Sequence, residues 1–289
     1  MTRFLDVRLA SVGGNLATSV AVNQGTDINH YAGLDLAQLV ADVKGRHVLI
    51  ATHGFNVNRA DGIAHLSNWE AQLHPGLPSV FVGLLWPGDS TWAHGLDYPE
   101  EPKIADKTGQ LVAPFIDGNF GGAASISFAS HSLGARVILE AISQMNLPVR
   151  RAILMAGAID DNCLNTEFRS AAKIGKISVL ASKKDEVLAA AFPLGNLIGG
   201  IIAEGHPWWH AALGRDGPSS PKPTNFEAPY EIPDNWNFGH GDYLRVDPPP
   251  PPPIPLPTDV PPDGSPLPGG GSSGWQAAWT GAFAATRFG

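Results

Sequence analysis

The chain has 289 residues, 43% of them hydrophobic, which is enough to bury one sizeable core in a single α/β domain. Against 27 Asp and Glu there are only 19 Lys and Arg, giving a formal net charge of -8; no basic cluster offers the footprint a phosphate backbone needs, which argues against a nucleic-acid partner. The single cysteine, Cys163, excludes an internal disulfide and a thiolate metal cluster.

The opening segment, MTRFLDVRLASVGGNLATSVAV, has Asp6 and Arg8 where a leader would need uninterrupted apolar residues, so no signal peptide is expected. No apolar run reaches the length of a membrane span. A cytoplasmic location is the expectation, with export that needs no leader left open. FLDVRLASV and LATSVAV predict a hairpin about Gly13-Gly14, and HVLIATHG, from His47 to Gly54, predicts a buried strand. ADGIAHLSNWEAQL has Ile63, Leu66, Trp69 and Leu73 at helical spacing. SVFVGLLWPGDS predicts a strand stopped by Pro87, and ASISFAS, RRAILMAGAID and KISVLASKKD predict three more.

Buried strands alternating with helices imply a mostly parallel central sheet covered on both faces. Sites in such sheets lie at the carboxyl ends of the strands. His53, Asp89, Ser132, Asp160 and Asp185 all follow the ends of apolar runs.

The stretch ASISFASHSLGARVILEAI places Ser132 where a strand must turn sharply into a helix. That context is the one expected of a nucleophile elbow, with small residues, Ser130 and Gly134, on either side. The helix N-terminus would supply a dipole end and the Leu133 N–H to an oxyanion. Leu133, Val137, Ala141 and Met145 are spaced to pack this helix on the sheet. An ordinary N-cap serine is the plainer alternative.

THGFN (Thr52 to Asn56), WPGD (Trp86 to Asp89), SHSLG and the late GHGDYL occur in the order seen in serine α/β-hydrolases, and the chain resembles an esterase-like branch of them over roughly residues 40 to 247. Ser130 stands where the usual elbow begins with glycine. The resemblance implies an α/β-hydrolase fold, and an oxyanion hole made by the Phe55 and Leu133 amides. His53 and Asn56 would support that loop. In this fold the order is serine, acid, histidine. That order leaves His206, His210 and His240 as the base, and His240 matches the family's His-x-Asp-Tyr ending. Asp185 stands at the family's usual acid station, with Asp160 as the alternative; Asp161, Glu186 and Asp242 read as solvated charges.

The long interval between Asp185 and His240 implies a cap-like insertion at about 187–235. Its Phe192, Leu197, Ile201, Trp208 and Trp209 would line an apolar pocket, bordered by Trp86 and Tyr98, although the same side chains would serve equally to complete the core. The expected activity is hydrolysis of a small-molecule or lipid-like carboxylic ester through an acyl-enzyme on Ser132, with His240 as base, Asp185 as orienting acid, and no cofactor or metal. The same triad would also serve a lipase, thioesterase, polyester hydrolase or acyltransferase, and a non-catalytic binding module of the same fold is the rival of another class.

Residues 1–247 are thus the expected catalytic domain. Residues 248–274, rich in proline and then glycine, form a linker that supports neither helix nor ladder. In the tail, 275–289, Trp275, Trp279 and Phe283 would align on one helical stripe that docks on the chain itself or a sister subunit, or that anchors a partner or a membrane surface.

Overall fold

Among the described residues, nine strands join in one sheet of order β3-β2-β1-β5-β4-β6-β7-β8-β9. The computed structural model describes residues 1–12, 15–73, 79–89, 101–190, 211–226, 230–232, 234 and 238–244. The chain begins with β1 (Thr2–Arg8) and β2 (Leu16–Gly25), paired antiparallel as the predicted hairpin, and β3 (Ala32–Gly33) extends that edge. Then follow α1 (Leu36–Val43), β4 (His47–Thr52), α2 (Arg59–Leu73), β5 (Ser79–Leu85), α3 (Glu101–Asn119), β6 (Ser125–His131), α4 (Gly134–Gln144), β7 (Val149–Met155), β8 (Lys176–Ala181) and β9 (Tyr230–Glu231). From β1 through β5, β4, β6, β7 and β8 to β9 every pairing is parallel.

The central strands are buried on both faces, which is why they read as continuous apolar runs: Val48, Leu49, Ile50 and Ala51 of β4 are all inaccessible or nearly so. Ile63, Leu66 and Trp69 of α2 are buried, as their spacing predicts. On α4, Leu133 at the N-cap, Val137, Ala141 and Met145 at the C-cap are buried too.

Connection handedness decides where the site falls. The chain leaves β4 and moves one way to β5, then crosses β4 again to reach β6 and continues the same way to β7. Right-handed crossovers therefore put α2 on one face and α3 with α4 on the other, where those two helices pack together. The direction reverses between β4 and β6, and the crevice at their carboxyl ends is the switch point where ligands bind in open parallel sheets.

The segment expected as an insertion is partly woven into the sheet. Asp160 bridges Ala212, Leu213 N–H donates to Ile159 O at 2.8 Å, and Ser182 N–H donates to Gly214 O at 3.0 Å. Further on, Phe226 bridges Ile177 and β9 pairs with β8. Gly214 is the closest approach: a Cβ there would stand 2.1 Å from the Ala156 carbonyl carbon. Residues 191–210, which include Phe192, Leu197, Ile201, His206, Trp208, Trp209 and His210, lie outside the described residues, as do Tyr98 and residues 245–289.

Candidate active site

Ser132 follows the last residue of β6 and has φ of 53°, in the left-handed region that a side chain rarely adopts. Such a residue costs about 1–3 kcal/mol and persists only when its surroundings hold it. Here its N–H donates to Met155 O at 2.9 Å, and its carbonyl accepts from Ala135 at 3.1 Å and Ala158 at 3.2 Å. The helix leaves the strand at close quarters, because a Cβ on Gly134 would come within 2.5 Å of His53 O. Ser130 fits where the usual elbow has glycine: it is fully buried, and its hydroxyl donates to Ile153 O at a long 3.4 Å.

Three side chains form one hydrogen-bonded line. Ser132 Oγ lies 2.9 Å from His240 Nε2, and His240 Nδ1 lies 2.7 Å from Asp185 Oδ2. A carboxylate only accepts, so Nδ1 carries the proton facing Asp185. In neutral His240, Nε2 is then the acceptor, and the serine hydroxyl donates to it. Asp185 is fully buried, and both its oxygens are engaged: Oδ1 accepts the Leu188 N–H at 2.9 Å, the N-cap bond of the helical residues 186–190. The alternative acid, Asp160, takes part in the bridge to Ala212.

The loop carrying His240 is pinned at several points. Phe238 and Tyr243 are buried and meet edge to face, 4.8 Å apart. Ser182 Oγ donates to Phe238 O at 2.6 Å, and Asp242 reaches back to accept the Gly239 N–H at 2.6 Å. Asp242 is therefore a loop-closing acceptor rather than the solvated charge its sequence position suggests. His131 Nε2–H donates to the His240 carbonyl at 2.7 Å, and the two rings are 4.8 Å apart. Burial first, and the neighbouring His240 second, push the His131 pKa down to about 3, so its ring is neutral. These supports have a partial signature in Gly-His-Gly-Asp, whose aspartate sits where a tight loop needs an acceptor.

On the other side of the serine, Gly54 leaves no room for a side chain: a Cβ would stand 2.7 Å from Ser132 Cβ. Phe55, half-buried, follows it, and Asn56 turns the chain with φ of 58° while its N–H donates to Gly88 O at 2.6 Å. The Phe55 amide thus belongs to a loop packed on Ser132, and the Leu133 amide belongs to the first turn of α4. His53 is a prop beneath this loop. It is fully buried with a pKa lowered to about 3 by burial, and its Nδ1–H donates to Gly54 O at 2.9 Å.

Trp86, expected at the pocket entrance, is 0% exposed and offers no surface to a substrate. Its indole stacks on His53 at 5.8 Å and donates Nε1–H to His53 O at 3.0 Å. An apolar strand-end residue before Pro-Gly reads alike as wall or prop; the stacking partner, distant in sequence, makes it a prop.

Among the described residues, no group of three or more His, Cys, Asp or Glu is arranged to hold a metal ion. Nor is any helix of the described residues long and apolar enough to cross a membrane.

The strand order, the elbow and the hydrogen-bonded line at the switch point define an α/β-hydrolase. More particularly, the chain belongs to the family described as alpha/beta hydrolase of unknown function (DUF900), which matches residues 31–214 and so includes Ser132 and Asp185. His240 lies beyond the matched span. Among solved structures, the chain is similar to a CIB-like hydrolase from Thermoplasma acidophilum, at 15% identity over 78% of this chain and 84% of that one, TM-score 0.39. It is also similar to carboxyl esterase 2 of the mycorrhizal fungus Tuber melanosporum, at 13% identity over 84% of each chain, TM-score 0.37. An extracellular α/β-hydrolase from a Paenibacillus species is 14% identical over 38% of this chain, TM-score 0.27, and only 40% of that chain is spanned. No curated protein matches in sequence.

Proposed function

We propose that the chain is a serine hydrolase of carboxylic esters, small or lipid-like, that works through an acyl-enzyme on Ser132. As Ser132 Oγ attacks the acyl carbonyl, its proton passes to His240 Nε2, and Asp185 stabilises the resulting imidazolium through Nδ1–H. The carbonyl oxygen, now negative, is received by the Phe55 and Leu133 amides. Collapse breaks the acyl–oxygen bond, and His240 returns the proton to the leaving alcohol. Water, deprotonated by the same Nε2, then attacks the acyl carbon; collapse releases the acid and restores the Ser132 hydroxyl. No cofactor enters.

The observation that carries this reading is the line from Ser132 Oγ to His240 at 2.9 Å and on to buried Asp185 at 2.7 Å, set on an elbow with φ of 53°. It is supported by the tautomer that line enforces, with the acceptor nitrogen of His240 already facing the hydroxyl.

A chain-length series of chromogenic esters and thioesters, with and without competing acceptor alcohols, tests the proposal. At least one ester is expected to turn over, with Ser132→Ala lowering kcat on the order of 10⁴–10⁶-fold. Thioester preference, or acyl transfer outrunning hydrolysis, would move the reading to a thioesterase or acyltransferase with the same machinery. Equal turnover by wild type and Ser132→Ala would remove it.

A further inference from the structure

Arg8, at the carboxyl end of β1, has a side chain with 0% exposure, yet no acid or base chemistry asks for a guanidinium there. Arginine stays protonated in proteins, so this is a permanent buried charge that must be fully paired. Its Nη1 donates to Val57 O at 2.9 Å and to Trp86 O at 2.8 Å, and its Nη2 donates to the buried carboxylate of Asp89. Longer contacts of 3.4 Å reach Ala10 O and Ser11 O.

These acceptors come from three separate places. Val57 lies two residues beyond Phe55 in the loop after β4; Trp86 and Asp89 begin and end the Trp-Pro-Gly-Asp loop after β5; Ala10 and Ser11 lie in the β1–β2 connection. The two active-site loops are also joined directly, by Asn56 N–H on Gly88 O at 2.6 Å and by the His53–Trp86 stack. The loop that Arg8 ties down therefore holds the Phe55 segment from one side, while Gly54 packs against Ser132 on the other. Arg59 adds a second layer, donating to Arg8 O at 2.6 Å and pairing with Asp6 at 3.1 Å. A planar fork can hold two carbonyls and a carboxylate at once, which a lysine ammonium on a flexible stem cannot do in the same geometry.

We infer that Arg8, with Asp89 as its counter-ion, is a positioning residue that fixes the Phe55 amide as an oxyanion donor. The role rests on the serine-hydrolase reading above and adds to it a third segment, the N-terminal hairpin. Arg8 touches neither the serine nor the histidine, so its loss should weaken transition-state stabilisation while leaving ground-state binding and the Ser132–His240–Asp185 line intact.

The test compares wild type, Arg8→Lys and Arg8→Gln by thermal melting, by amide exchange over residues 53–58, and by kcat, KM and pH profile on the best chromogenic ester. The expected result for Arg8→Lys is a cooperative melt, faster exchange at residues 54–57, kcat down about 10-fold or more, KM within about twofold, and an unmoved pH profile. Arg8→Gln, which keeps a donor but no charge, should lose at least as much. Wild-type exchange and kcat in Arg8→Lys would overturn the inference, and so would a loss confined to KM or accompanied by a shifted pH profile. If the wild type turns over no ester, the hydrolase reading fails on its own, and exchange at residues 54–57 still decides whether Arg8 holds that loop.

Discussion

Two buried histidines flank the serine, and neither carries charge near neutrality: His53 and His131 both have pKa values lowered from 6.5 to about 3, chiefly by burial. In the unfolded chain they regain ordinary values, so between pH 6.5 and about 3 the unfolded state binds more protons than the native one. Their contribution to stability is complete above the unfolded pKa and is lost as pH falls through that window. Each contributes a slope of at most about 1.4 kcal/mol per pH unit. Denaturant melts between about pH 7 and pH 4 should show a steep loss of stability in wild type and a shallower one in His131→Asn. An identical slope in the variant would mean that the buried ring does not set the acid sensitivity.

At this scale the sequence was legible where chemistry demands a particular residue in a particular place. Ser132 stood out at a strand-to-helix turn, Asp185 and His240 followed from the resemblance and its serine, acid, histidine order, and the structure brings the three into one hydrogen-bonded line. Arg8 was not legible, because its meaning lies in carbonyls far along the chain at Val57 and Trp86, and no local pattern encodes such contacts. Trp86 misled for a related reason: a neighbour in sequence says little about which buried partner a ring will meet.

Among the elements, the central strands were plain because burial on both faces turns them into continuous apolar runs. The two-residue strands β3 and β9 were not, since so short a segment has no period to read. The fate of residues 211–216 was hidden too. They return to the sheet through Gly214, whose N–H donates to Gly157 O at 2.9 Å with backbone packed directly against backbone. A methyl at Gly214 would meet Ala156 at 2.1 Å, and main-chain atoms cannot swing aside as a side-chain end would. Gly214→Ala should therefore destabilise the fold by about 1–3 kcal/mol or more, read as a lower denaturant midpoint. Because Ala156 and Gly157 adjoin the Ala158 amide that holds the Ser132 carbonyl, ester turnover should fall with it. A variant as stable as wild type would show that this contact is slack.

Over the whole molecule, chain reversal at β4 brings the Gly54–Phe55 loop and the Ser132 elbow to adjacent strand ends, while β8 leads to the acid and the final described loop supplies the histidine. Residues 248–289, expected as linker and aromatic tail, lie outside the described residues. The proposed hydrolase depends on Ser132 being activated by His240. Intact-mass measurement after exposure to a fluorophosphonate tests it most directly: wild type should gain one adduct, mapped to Ser132, while Ser132→Ala gains none and His240→Ala labels on the order of 10³-fold or more slowly. An unlabelled wild type that is demonstrably folded, or an adduct on another residue, would contradict the account.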